Sequence, residues 1–141
     1  MNADQKLCAQ RCLDGAERDK RTFPEIIADL TDAGFESYAI DFRRASAVYY
    51  LPSGDSLFLS THGGEPAVAD RFDADALQAA IREAQTMAPG YTYKGFCEKA
   101  KAAGCAGYLV SFSGGRVLYF GRSAETHVEL FPQAQGPVLA C

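Results

Sequence analysis

The sequence predicts an α+β domain: a six-stranded, mostly antiparallel sheet with helices covering one face. Three observations predict it. First, residues 22–51 lie on residues 92–121 without a gap when the chain is shifted by seventy positions, and an echo at fixed period marks a repeated structural unit. The identical pairs are Thr22/Thr92, Ala33/Ala103, Gly34/Gly104, Tyr38/Tyr108, Phe42/Phe112 and Tyr49/Tyr119. Second, each copy holds a stretch of helical periodicity between a threonine cap and a glycine stop. Third, the apolar residues after each stop recur with period two, as in half-buried strands.

The elements follow in chain order. Residues 3–17 carry Leu7, Cys8, Cys12, Leu13 and Ala16 at helical spacing. Thr22 with Glu25 forms a capping box, Pro24 sits in the first turn where its missing donor is harmless, and Ile26, Ile27, Leu30 and Ala33 make the buried stripe before Gly34. Tyr38, Ile40 and Phe42 alternate with Ala39, Asp41 and Arg43, and strands at Ala47–Leu51 and Leu57–Thr61 complete the first copy. After the turn-rich linker His62–Pro66, the pattern returns. Asp73 caps a helix over 73–87 with Phe72 placed as a staple, and Thr92 caps the next, weakened because Gly95 replaces the glutamate of the box. Strands at Tyr108–Phe112, Val117–Gly121 and His127–Phe131 close the second copy. The unit is helix, helix, strand, strand, strand, at about 1–66 and 67–136 of a single domain 1–141. A half of about seventy residues is marginal alone, so the halves are expected to share one core.

A net charge of −4 gives no basic footprint for nucleic acid and no pull toward an anionic membrane. The first twenty residues are polar with both signs of charge, unlike a targeting peptide, and no apolar run reaches bilayer length. A cytoplasmic location is expected. Five cysteines without a secretion signal point to reduced thiols. Cys8 and Cys12 share a helical face, but no second pair completes four ligands, so core packing is expected and no metal or cofactor is assigned. Cys141 is expected to be exposed and to form adventitious dimers. Ser113-Gly114-Gly115 lacks the lysine and following helix of a phosphate loop, and no serine lies in a nucleophile elbow.

The segments Tyr93–Cys97, Ala103–Tyr108, Tyr119–Gly121 and His127–Pro132 together resemble a bacterial and prophage-borne family of unknown function whose members often carry the label phage envelope protein. Tyr49–Gly54 is similar to the matching segment in the first half of such proteins. The resemblance runs from about Phe23 to Pro132. It implies no catalytic residue, and its label alone implies a role in phage-related assembly.

Departures between the copies are the candidates for function. Leu57 and Leu59 of the first copy meet His127 and Glu129 of the second. With period-two alternation Glu125, His127 and Glu129 share a face, where either carboxylate would orient His127 as general acid or base. The competing reading is a charged edge strand that resists aggregation. The matched Tyr49 and Tyr119, with Arg116 and Arg122 nearby, are candidate ligand-binding residues in a groove between the copies; packing in the core is the alternative. His62 reads as a surface loop residue. The leading expectation is a binding module for a small molecule or a protein partner, using the surface between the two repeats, as a monomer or weak dimer. The alternatives are an enzyme using His127 and an assembly protein.

Overall fold

The computed structural model describes residues 1–131. Cys141 and the end of the second repeat at 136 lie outside them. Among the described residues four helices are set by their caps. Helix α1 (Ala3–Glu17) opens on a capping box that joins Asn2 and Gln5. Helix α2 (Phe23–Asp32) opens on the Thr22–Glu25 box, with both reciprocal bonds formed. Asp73 caps α3 (Ala74–Thr86). Thr92 caps α4 (Tyr93–Ala102) by accepting from the Gly95 amide, and Gly95 has no side chain to answer with.

The Thr22 box carries a pH signature. Hydrogen bonds from the Thr22 amide and hydroxyl hold the exposed Glu25 carboxyl below its ordinary pKa. A carboxylate with a lowered folded-state pKa contributes fully above its unfolded pKa and loses that contribution as pH falls through the folded one. The stability difference between wild type and Glu25→Ala, read from urea unfolding, is therefore full at neutral pH and shrinks below the ordinary carboxylate range. An unchanged difference at about pH 2 would contradict this.

The strands are β1 (Ser37–Asp41), β2 (Ser46–Tyr50), β3 (Ser56–Ser60), β4 (Cys105–Ser111), β5 (Arg116–Gly121) and β6 (Thr126–Leu130). They form one antiparallel sheet in the order β3-β2-β1-β4-β5-β6. Two helices followed by three strands occur twice along the chain. The sheet joins the two sets through β1 and β4, where Tyr38 pairs with Val110 and Ile40 with Tyr108.

Alternation decides which face is covered. Tyr38 and Ile40 of β1, Ala47 and Tyr49 of β2, Tyr108 and Val110 of β4, and Val117 and Tyr119 of β5 are buried in one cluster with Leu13, Ile27, Leu30, Leu77, Ile81 and Phe96 of the helices. The helices therefore cover this face, and the opposite face of the sheet carries the exposed Phe58, Leu109, Val128 and Leu130. Among the described residues no helix is long and apolar enough to cross a membrane.

Candidate functional site

The register places two aromatic rungs on the covered face, offset by one pair and joined where Tyr38 meets Tyr108. Tyr49 pairs with Tyr38, Tyr108 with Tyr119 and Tyr119 with His127. Neighbouring ring centroids lie 5.4 Å apart for Tyr38–Tyr49, 6.5 Å for Tyr38–Tyr108, 5.5 Å for Tyr108–Tyr119 and 6.3 Å for Tyr119–His127. Such spacings suit packed aromatic pairs. Burial pushes the phenols of Tyr38, Tyr49, Tyr108 and Tyr119 well above their ordinary pKa, so they stay neutral. The Tyr108 hydroxyl is bonded to that of Tyr93 at 2.9 Å.

On edge strand β6, His127 ends the rung of Tyr108 and Tyr119, and Glu129 ends the rung of Tyr49 and Tyr38. They face the helices, in the positions that Leu57 and Leu59 hold at the opposite edge, where β3 pairs with β2. His127 Nε2 lies 3.0 Å from Glu129 Oε2, and the side chains are 23% and 22% exposed. An ionised carboxylate only accepts hydrogen bonds, so the ring nitrogen facing Glu129, Nε2, is the donor. From α3, Gln85 Nε2 donates to Glu129 Oε1 at 3.5 Å. The arrangement can hold one imidazole in a fixed tautomer, open to solvent at one edge.

The other candidates are not brought to this pair. Glu125 is exposed in the turn before β6, where its carboxylate accepts from Ser123 Oγ at 2.7 Å; the strand begins one residue too late to align it with His127. Arg122 donates to the Val68 carbonyl at 3.3 Å. Arg116 lies on the opposite face of β5, its Nε donating to the Gly114 carbonyl at 3.2 Å. Tyr49 and Tyr119 are 2% and 7% exposed, in strands separated by β1 and β4. His62 is exposed in its loop and bonds through both its amide and Nδ1 to Glu17, at 2.9 Å each.

A second feature lies on the uncovered face. In register across all six strands run Phe58, Val48, Ala39, Leu109, Leu118 and Val128. Phe58, Leu109 and Val128 are 49%, 38% and 45% exposed. Serine and threonine make up half of the rows on either side, which hold Ser60, Ser46, Asp41, Gly107, Phe120 and Thr126 on one and Ser56, Tyr50, Ser37, Ser111, Arg116 and Leu130 on the other. Cations frame the stripe: the Arg44 guanidinium sits 5.2 Å over the Phe58 ring, and Arg116 pairs with Leu130 at one border. The one carboxylate of this face within the strands, Asp41, is occupied by the Arg43 and Arg44 amides at 2.9 and 3.0 Å. Period two assigns these residues to the face away from the core. The signal open to sequence reading was that the middle outward position of every strand is apolar, as in sheets covered on both sides.

Two hollows of the helix layer lie elsewhere. One beside α3 and α4 encloses about 70 Å³ and one beside α1 and α2 about 260 Å³, and neither is lined by His127, Glu129, Tyr49 or Tyr119. Both fall short of the roughly 300 Å³ at which small-molecule pockets begin. In comparison with known proteins, the family described as protein of unknown function (DUF1398) matches residues 11–129. No curated protein matches the chain.

Proposed function

We propose that this chain, which belongs to the family of proteins of unknown function DUF1398, is a protein-binding module whose partner lies across the uncovered face of the sheet. The observation that carries the reading is the apolar row from Phe58 to Val128, continuous over both halves of the chain. A contiguous exposed apolar stripe with polar borders is characteristic of interaction surfaces. The occupant we infer is a segment of another protein with apolar side chains flanked by carboxylates, because Arg44 and Arg116 border the stripe and the one carboxylate there is engaged.

Area favours such a segment over a second copy of the chain. Six strands about 4.8 Å apart and about 17 Å long present roughly 400 Å², half of the roughly 800 Å² per partner in stable complexes. Selection of random peptides on the immobilised chain tests the reading. Acidic, apolar peptides should be enriched, and Arg44→Glu with Arg116→Glu should shift the selection toward basic ones. Enrichment indifferent to that charge reversal, or self-association as the sole use of the face, would overturn it. Phage-related assembly, the reading implied by the label of the resembling family, would use the same face. It requires stable oligomers in a size measurement, where we expect a monomer or weak dimer.

A second reading rests on His127 and Glu129, polar residues in rungs otherwise built for the core. Here His127 is the acid or base and Glu129 its orienting partner. Replacing both members of a half-buried hydrogen-bonded polar pair by apolar residues of similar volume is often neutral or stabilising, and the opposite edge shows leucines in these positions. The double variant His127→Leu/Glu129→Leu should therefore unfold at the same or higher urea concentration, by up to about 1 kcal/mol. A loss of more than about 2 kcal/mol would show that the pair serves the fold, removing the reason to read it as a site.

A further inference from the structure

We propose that Cys8 and Cys12 form a two-coordinate binding site for a soft monovalent cation of the copper(I) class. The two residues lie one turn apart on α1, where side chains four positions apart are neighbours, and the Cys8 thiol donates to the Asp29 carbonyl of α2 at 3.5 Å. They open into the 260 Å³ hollow between α1 and α2, which Arg11, Arg21, Asp29 and Asp32 also line. Cys12 is 1% exposed and Cys8 half-buried, so a cation would enter past Cys8 and come to rest between the sulfurs.

The ligand set selects the metal. Among the described residues no group of three or more histidine, cysteine, aspartate and glutamate side chains is placed to hold a metal ion, so the tetrahedral demand of zinc is not met. Two thiolates alone suit a d¹⁰ monovalent ion that accepts linear coordination and prefers soft sulfur. Asp29 is engaged by Arg21, which removes the nearest carboxylate from competition for harder ions. On binding, two S–H bonds break, two sulfur–metal bonds form and two protons leave. The bis-thiolate complex is then a single negative charge, with Arg11 and Arg21 on the walls of the same hollow to balance it.

The test is anaerobic titration with copper(I) against a coloured chelator, using the Cys141→Ser chain to remove the terminal thiol. One equivalent should be withheld from the chelator, with an X-ray absorption spectrum showing sulfur neighbours only. Cys8→Ser should abolish that equivalent. Arg11→Glu, at an exposed position that leaves both ligands in place, should weaken binding about 10-fold, as outer-shell changes do. Retention of the equivalent by Cys8→Ser, or undiminished affinity in Arg11→Glu, would overturn the proposal.

Discussion

Gly104→Ala should lower stability by about 3–5 kcal/mol, among the largest effects expected of a single methyl group. The residue ends α4 at φ +87°, and a Cβ built there would lie 2.1 Å from the Arg71 carbonyl oxygen and 2.9 Å from Phe72 Cα. Both are backbone atoms of the segment leading into α3, tied to the helix end by the Asp73 amide, which donates to the Ala103 carbonyl at 2.7 Å. Relief requires moving one helix off another. Gly34, the residue seventy positions earlier, is the internal control: at φ +102° its Cβ would meet only the Gln5 side-chain amide, at 3.3 Å. Gly34→Ala therefore costs the left-handed backbone alone, about 1–2 kcal/mol. Thermal unfolding should separate the two variants by several degrees, about 3 °C or more per kcal/mol at this length. Equal melting temperatures would show that the segment before α3 yields freely.

Leu109→Glu should weaken any peptide selected on the uncovered face by at least about 30-fold, the loss expected at a central anchor, while stability changes by no more than about 1 kcal/mol. Leu109 occupies the middle of the stripe, between Ala39 and Leu118 in the register, and is 38% exposed. A carboxylate there stays hydrated in the free protein. Under a bound apolar segment it would be desolvated without a partner, and the partner's own carboxylates would repel it. Because the cost falls on the complex, affinity and melting temperature should separate. A parallel fall in both would mean that Leu109 belongs to the fold.

Much of the fold was legible because its signals are local. The Thr22 and Thr92 caps, the stops at Gly34 and Gly104 and the period-two strands each follow from neighbours within a few residues, and the elements appear where those signals put them. Strand ends were less legible: β1 stops at Asp41, because its carboxylate accepts from the Arg43 and Arg44 amides and turns the chain before Phe42 can extend the strand. Glu125 fails for the same kind of reason, captured by Ser123 in a turn. Periodicity showed that His127 and Glu129 share a face, and only the register showed which face that is. The apolar stripe is non-local throughout. Ala39, Val48 and Leu109 are unremarkable in their own strands and become a surface only when the strand order aligns them.

The most direct test of the protein-binding face is a map of amide chemical-shift changes when a selected acidic, apolar peptide is added to the isotope-labelled chain. Binding across the sheet predicts the largest changes at Ala39, Val48, Phe58, Leu109, Leu118 and Val128, with the helix layer nearly unmoved. Changes centred on Gln85, His127 and Glu129, or on the helices, would contradict it.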